Sequence, residues 1–252
     1  FETLSKYELV VKVEDKGGLV CYSAVTVDII DGNDMLVRGL AHYAADAASM
    51  NCTANSNSDD ALCFPTDGGA KVLINGSDFG AVGTAVSATY GRFNGVFYGD
   101  VMRATGCRVV THNTLIECTS APGVGSNHRW NVTAGRWSTV SPAAVTSGYH
   151  MPRITAVSGA VGMATAGKEP IGITGTSFGP VGATVPEVFV RFGTSVTQLD
   201  GCTVVVAHSR IACTSIAGVG HRLVFQVSLG GQVGPWSASS DAGGEYHFTA
   251  PA

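Results

Sequence analysis

The sequence predicts an all-β protein built from tandem immunoglobulin-like β-sandwiches. It has 33 glycines in 252 residues, and only 13% of its residues are charged. Short runs of Val, Ile, Thr, Phe and Tyr alternate with Gly, Asn and Asp, which is typical of strands joined by tight turns. Long apolar stripes of helical period are absent. One long stretch of the chain also repeats, so we expect more than one sandwich.

Residues 1–34 alternate apolar and polar side chains like the two strands of a hairpin. The runs Leu9–Asp15 and Ala24–Ile30 flank a predicted turn at 16–18, and the segment ends in Asp-Gly-Asn-Asp at 31–34. It resembles the second half of a cadherin repeat, whose closing strands carry Tyr-x-Leu-x-Val before an Asp-x-Asn-Asp linker. The first half of such a repeat is missing, so we expect the sequence to begin inside a domain.

The cadherin resemblance implies a calcium site at this linker, because Ca²⁺ takes about six to eight oxygen ligands. The implied ligands are Glu2, Asp15, Asp31, Asn33 and Asp34. The alternative is a polar interdomain turn that binds no ion. Since no second cadherin repeat follows, we expect any such site to be incomplete or weaker than in cadherins. Apart from this calcium, no cofactor is expected.

Residues 35–150 and 151–252 carry one ordered series of motifs: a Gly-x-x-Phe-Gly turn, Val-Gly, an aromatic-Gly pair, two cysteines, Gly-Val-Gly, His-Arg and Trp-Ser. The first copy has them at Gly76–Gly80, Val82-Gly83, Tyr90-Gly91, Cys107 and Cys118, Gly123–Gly125, His128-Arg129 and Trp137-Ser138. The second has them at Gly175–Gly179, Val181-Gly182, Phe192-Gly193, Cys202 and Cys213, Gly218–Gly220, His221-Arg222 and Trp236-Ser237. Each copy is predicted to be one sandwich with these positions equivalent.

Strands are predicted from alternation and turn signals in both copies. They lie at Lys71–Asn75, Arg129–Thr133, Ile171–Thr174 and Leu223–Leu229, and after Cys107 and Cys202, with turns at 111–113 and 207–209.

The seven cysteines include three pairs with the same sequence separation. These are Cys52 and Cys63, Cys107 and Cys118, and Cys202 and Cys213. No C-x-x-C occurs, which argues against a zinc knuckle and favours disulfides formed in an oxidising compartment. The latter two bonds would bridge neighbouring strands and stabilise the fold by about 3 kcal/mol each. Cys21 is left over, and we expect any partner for it to lie outside this sequence.

Residues 36–250 resemble the IPT/TIG family, the immunoglobulin-like domains of plexins, transcription factors and some carbohydrate-active enzymes. The resemblance rests on the opening segment Pro152–Ser158, the Gly-x-x-Phe-Gly turns, the aromatic-Gly pairs and the cysteine pairs that precede Gly-Val-Gly. It implies an early-set immunoglobulin fold and, for extracellular members, a stalk or recognition module. The first copy departs from the pattern near 51–65, which we predict to be a polar insertion closed by Cys52 and Cys63.

Gly175–Gly179 also fits G-x-S-x-G, the nucleophile elbow of α/β-hydrolases. The same turn in the first copy has Asp78 in place of Ser177, which favours a shared turn over a catalytic site. The Gly-Val-Gly loops lack the lysine of a phosphate-binding loop. We therefore expect no enzyme activity and no catalytic residue.

Three N-x-S/T sequons, at Asn51, Asn75 and Asn131, predict covalent glycans in a secretory route. Asn75 is expected at a tight turn and Asn131 on a strand. Trp137 and Trp236 are expected to pack internally, although exposed tryptophans would instead suit stacking on a sugar ring.

The net charge of −4 leaves no basic field to attract nucleic acid or an acidic membrane surface. No run of about 18 apolar residues predicts a membrane span. We therefore expect a structural segment of a long extracellular or cell-surface protein: a glycosylated stalk, adhesin or filament subunit that self-associates through neighbouring repeats. The alternative is a module that binds a carbohydrate or a protein receptor.

Overall fold

The structure is a computed structural model that describes residues 6–28, 35–43, 60, 62–182, 184–241 and 243–249. All regular elements in these ranges are β-strands, which confirms the predicted all-β class. The chain forms two compact units, Phe1–Asp34 and Met35–Ala252.

The first unit contains one antiparallel hairpin, as the alternation predicts. Strand β1 (Lys6–Glu14) pairs with β2 (Val20–Asp28). Asp15 shapes the turn, because its Oδ1 accepts the N–H groups of Gly17 (2.8 Å) and Leu19 (2.9 Å). All side chains of residues 8–26 are exposed, so this hairpin shows apolar groups on both of its faces.

In its described residues, the first sandwich of the second unit has ten strands. They are β3 (Leu36–His42), β4 (Leu62–Phe64), β5 (Lys71–Ser77), β6 (Val86–Phe93), β7 (Phe97–Arg103), β8 (Thr105–Thr111), β9 (Leu115–Thr119), β10 (His128–Ala134), β11 (Trp137–Val140) and β12 (Ser147–Tyr149). One sheet has the order β3-β5-β9-β8, and the other has the order β4-β12-β10-β6-β7 with β11 beside β10. All pairs are antiparallel except β4 with β12.

The second sandwich repeats this plan. Its strands are β13 (Arg153–Ser158), β14 (Val161–Met163), β15 (Pro170–Thr176), β16 (Glu187–Phe192), β17 (Ser195–Gln198), β18 (Asp200–Val206), β19 (Arg210–Thr214), β20 (Val224–Leu229), β21 (Gln232–Val233), β22 (Ser240–Asp241), β23 (Gly244–Glu245) and β24 (His247–Phe248). The main sheets have the orders β13-β15-β19-β18 and β17-β16-β20-β21, and β14 pairs with β24 in parallel.

Each sandwich has its own core between its sheets. Strand β10 alternates buried and half-buried side chains, as expected of a strand with one face on the core. In the first core the ring of Trp130 stacks on Tyr90, with centroids 4.2 Å apart, and Phe64 meets both rings edge-on. In the second core Phe225 meets Tyr246 edge-on at 5.7 Å.

Hydrogen bonds fix which residues of the two sandwiches are equivalent. The N–H of Trp130 donates to Ser141 Oγ (3.0 Å), and the N–H of Phe225 donates to Ser237 Oγ (2.9 Å). The serine N–H groups return bonds to the carbonyls of the same two residues. Trp130 therefore corresponds to Phe225.

This equivalence corrects part of the motif alignment. Counting back two residues pairs His128 with Leu223, so the His-Arg pairs do not coincide, and His221 lies outside β20. Counting forward pairs Trp137 with Gln232 rather than with a second tryptophan. The expected equivalence of these motifs is wrong: the His-Arg pair is displaced by two residues and the tryptophan by four. A shift by an even number of residues keeps the inside-outside alternation of a strand, so periodicity cannot detect it.

The aromatic-Gly pairs are shifted in the same way. The Ala88 carbonyl accepts the N–H of Ala104 (3.0 Å), just before β8, and the Val188 carbonyl accepts the N–H of Leu199 (2.7 Å), just before β18. The carbonyls of Ala88 and Val188 are therefore equivalent. Counting along β6 and β16 then pairs Tyr90 with Val190, and Arg92 with Phe192.

The predicted insertion near 51–65 ends earlier than expected. Residues 62–64 form β4, all three side chains are buried, and the Phe64 carbonyl accepts the His150 N–H at 2.9 Å. In the second sandwich the carbonyl of Met163, on β14, likewise accepts the N–H of Thr249 at 2.8 Å. Residues 62–64 thus belong to the repeated scaffold, because both sandwiches need this strand to cover the core.

Candidate functional site

The Gly123-Val124-Gly125 loop of the first sandwich forms the joint with the second. Val124 is only 4% exposed, and it packs within the core cluster of the second sandwich. The loop is held from behind, since Gly123 N–H donates to Thr66 O (3.0 Å) and Tyr149 N–H donates to Gly125 O (2.8 Å). A valine carried by one sandwich therefore completes the core of the other.

Two glycines of the second sandwich receive this loop. A Cβ atom on Gly179 would lie 2.2 Å from Val124 Cγ1, and one on Gly230 would lie 2.8 Å from Gly125 Cα. Both glycines have positive φ, 74° and 56° respectively. Only glycine provides this backbone conformation and this close approach without strain.

Polar contacts surround the apolar centre of the joint. His208 Nδ1 lies 2.9 Å from Thr66 Oγ1, and Gln232 Nε2 donates to the Tyr149 carbonyl at 2.7 Å. The N–H and hydroxyl of Thr184 both donate to Asp100. These contacts come from different strands and loops, so they restrain the relative orientation of the two sandwiches in more than one direction.

Two disulfides staple equivalent hairpins. Cys107 bonds to Cys118 across β8 and β9, and Cys202 bonds to Cys213 across β18 and β19. Cys63 is also disulfide-bonded, while Cys52, its predicted partner, lies outside the described residues. Cys21 is exposed and free. The bonds are typical of a protein that folds in an oxidising environment.

His128, the first residue of the His-Arg motif in the first copy, is a buried polar residue. It is 2% exposed, its Nδ1 has no hydrogen-bond partner, and it packs against the rings of Tyr90 and Tyr149. Burial, with a smaller effect of Arg92, lowers the pKa of His128 to about 3. The imidazole is therefore neutral at physiological pH. Burial also raises the pKa of Tyr90 to about 12.

Glu117 is a residue that sequence inspection missed. It is mostly buried on β9 and accepts hydrogen bonds from Tyr43, from Lys71 Nζ (3.2 Å) and from Arg108 Nη2 (3.1 Å). The bond from Tyr43 lowers the pKa of Glu117 most, and the two cations lower it further. Its partners lie far apart in the sequence, so no local motif could have indicated the cluster.

Both candidate sugar-binding tryptophans are half-buried and carry an arginine on one ring face. Arg136 Cζ lies 4.8 Å from the Trp137 ring centroid, and Arg191 Cζ lies 4.7 Å from that of Trp236. A cation over the ring is a favourable contact, and it covers the face on which a sugar would stack.

The implied calcium ligands Glu2, Asp31, Asn33 and Asp34 lie outside the described residues. Asp15 is described, and one of its carboxylate oxygens already accepts two turn N–H groups. Within the described ranges no group of three or more His, Cys, Asp or Glu residues could hold a metal ion. The calcium site therefore stays a prediction.

Of the three sequons, Asn51 lies outside the described residues. Asn75 is exposed on β5, so its expected place in a tight turn is wrong, because β5 continues to Ser77. Asn131 is half-buried on β10, and its Oδ1 accepts a hydrogen bond from Ser138 Oγ at 2.8 Å. Asn75 is thus the more accessible of the two sequon asparagines that the structure describes.

Ser177 and Asp78 occupy equivalent turns in the two sandwiches. Both have φ of 62°, and each precedes a buried phenylalanine, Phe178 or Phe79. The backbone that follows each residue is hydrogen-bonded within its sandwich. The N–H of Phe178 donates to the His208 carbonyl, and the N–H of Phe79 donates to the Asn113 carbonyl, each in the facing hairpin turn.

The part of the chain that the structure describes contains no helix long and apolar enough to cross a membrane. The chain matches no known family model and no curated protein.

Proposed function

We propose that this segment is a stiff structural element of a long extracellular or cell-surface protein, a glycosylated stalk, adhesin or filament subunit without catalytic activity. The observation that carries the proposal is the joint, in which Val124 of one sandwich is buried in the core of the next. Tandem domains are expected to move relative to each other unless their interface is substantial and apolar. A shared core residue opposes that motion.

The energy of the joint supports stiffness. Burying one valine side chain contributes about 1.5–3 kcal/mol. The hydrogen bond from Gln232 to the Tyr149 carbonyl adds about 0.5–1.5 kcal/mol, the net value of a hydrogen bond that water replaces when the joint opens. Opening the joint is therefore unfavourable by more than thermal energy.

We also propose a family likeness for each domain. We take the two sandwiches to be IPT/TIG-like, on the motifs and on the disulfide-bonded hairpins, and the β1–β2 hairpin to be the closing part of a cadherin-like sandwich. The exposed apolar side chains on both hairpin faces support the latter, since an isolated two-stranded hairpin is marginal in water.

Recognition of a carbohydrate or a protein receptor is the alternative function. The arginines over Trp137 and Trp236 favour the structural role, because they cover a ring face that stacking on a sugar would need. The turn conformation that Ser177 shares with Asp78 likewise favours a scaffold over a nucleophile.

Two matched glycine variants test the stiffness. Gly230→Ala places a methyl group 2.8 Å from Gly125 Cα in the joint, whereas Gly135→Ala, at the equivalent turn of the first sandwich, meets no atom within 4 Å. Both positions have nearly the same φ, 56° and 61°, so the backbone strain is matched. Small-angle scattering on the monomer, separated from any associated species by size exclusion, should show a broader range of particle dimensions for Gly230→Ala only.

The same scattering profile for both variants and for the unmodified chain would contradict a joint that sets stiffness. Circular dichroism on each variant checks that both sandwiches stay folded, so that a change in dimensions reports the joint alone.

A further inference from the structure

The far end of the second sandwich carries a second copy of the joint loop. Gly218 N–H donates to Thr165 O (3.0 Å) and Phe248 N–H donates to Gly220 O (2.9 Å), which are the bonds that shape Gly123–Gly125 in the first sandwich. Val219 therefore corresponds to Val124. Val124 is 4% exposed, but Val219 is 59% exposed. The same apolar loop is thus built twice and covered once within this chain.

The receiving surface is also built twice. Phe79-Gly80 and Gly135 of the first sandwich correspond to Phe178-Gly179 and Gly230 of the second. Gly80 has φ of 91°, and the three atoms nearest to a Cβ atom there all belong to the Thr84 side chain, at 3.3 Å or more. Gly135 is exposed and has open space around it. Among the described residues of the second unit, no side chain fills this turn as Val124 fills its counterpart in the joint.

We propose that the Val219 loop of one chain docks on the Phe79-Gly80 turn of a second copy, in the geometry of the joint. The contact would be head-to-tail, so a pair of docked copies still presents one loop, on one copy, and one turn, on the other. Such a heterologous interface propagates into a linear assembly unless it closes into a ring. The inference rests on the proposed stalk function, since it names the surface through which that stalk lengthens, but its test does not involve the joint.

Side chains at the two free ends differ from those in the joint in a compensating way. In the joint the Arg92 guanidinium lies over Gly231, where a Cβ atom would be 3.2 Å from Arg92 Cζ. At the free ends Phe192 corresponds to Arg92, and Arg136 corresponds to Gly231. The arginine has changed sides and would face an aromatic ring, which is a favourable cation–π pairing.

Two of the polar contacts of the joint also have counterparts at the free ends. The pair His208 and Thr66 is replaced by Asn113 and Thr165, which can still exchange a hydrogen bond. Gln232, which donates to a main-chain carbonyl in the joint, is replaced by Trp137, whose indole N–H is a donor. Docking in the same geometry therefore leaves hydrogen-bonding side chains opposite each other.

Sedimentation velocity on the intact chain tests the proposal with one variant for each surface. Val219→Asp places a charge on the loop, and Gly135→Ala places a methyl group where Gly220 of the partner must approach. The unmodified chain should sediment faster as its concentration rises from about 1 μM to about 1 mM, the range for a weak contact. Each variant alone should stay monomeric. An equal mixture should form a dimer and nothing larger, because Val219→Asp keeps its turn and Gly135→Ala keeps its loop.

Val205→Asp is the matched control, because Val205 is also exposed, at 48%, and its strand, β18, carries none of the residues named in the docking contacts. It should associate like the unmodified chain. A monomer at all concentrations, association of Val219→Asp alone, or a mixture that stays monomeric would each overturn the proposal. The stalk proposal is tested by a different measurement, the dimensions of the monomer in small-angle scattering. Either proposal can therefore fail without the other.

Discussion

At the scale of single residues, His128 shows how one fold position can take different chemistry in two copies. Its equivalent in the second sandwich is Leu223, which is also fully buried. The leucine fills the site with apolar atoms, whereas the histidine brings a ring nitrogen without a partner. A buried polar atom that lacks a hydrogen bond costs stability, so the first sandwich carries a weakness that the second avoids.

This position predicts a pH-dependent stability. The folded pKa of His128, about 3, lies below the ordinary value of about 6.5 in the unfolded chain. The unfolded state therefore binds a proton first, and stability is lost as the pH falls from about 6.5 toward 3. His128→Leu should remove this loss, so its advantage over the unmodified chain should grow by about 1.4 kcal/mol per pH unit between pH 6 and 4.

Urea unfolding at pH 7, 6, 5 and 4 measures this difference. His112→Asn is the control, because His112 is exposed in the turn between β8 and β9. A constant difference between His128→Leu and the unmodified chain across this pH range would show that His128 does not titrate as a buried group.

At the scale of elements, the disulfide-bonded hairpins are the parts that local sequence describes best. The pairs β8–β9 and β18–β19 lie where alternation and the cysteine spacing predict them, and their turns hold Asn113 and His208 at positive φ. Such hairpins are local, so their strands, turn and bond are all encoded within a short stretch of chain. The parallel strand β4 is not local, because its partner β12 lies much later in the sequence, and it was mistaken for part of an insertion.

Removing one hairpin disulfide should destabilise its sandwich by about 3 kcal/mol, since the bond restricts the unfolded chain. The variant is Cys107→Ala with Cys118→Ala, and the measurement is the free energy of unfolding in urea. Cys21→Ala should have no effect, because that thiol is exposed and free. A double variant as stable as the unmodified chain would mean that packing alone holds the hairpin.

At the scale of the whole molecule, the two sandwiches of the second unit are linked through Val124. Because this side chain belongs to one sandwich and to the core of the other, unfolding of the first should expose a hole in the second. We expect Val124→Asp to lower the melting temperature of the second sandwich and to separate the two unfolding transitions. Differential scanning calorimetry measures both effects, with Val205→Asp, at an exposed valine on β18, as the control.

If Val124→Asp melts in the same single transition as the control, the sandwiches are coupled by other contacts. The hydrogen bonds from Gln232 to Tyr149 and from Thr184 to Asp100 would then be the next candidates.

The sequence by itself determined the all-β class, the repeat and the position of the stapled hairpins, because alternation, turn residues and cysteine spacing are local properties. Only the tertiary structure decided the register between the copies, since shifts by an even number of residues leave the alternation of a strand unchanged. It also distinguished Val124 from Val219. The two valines lie in the same Gly-Val-Gly motif, and one is buried because another sandwich covers it, which is a long-range contact that no local pattern encodes.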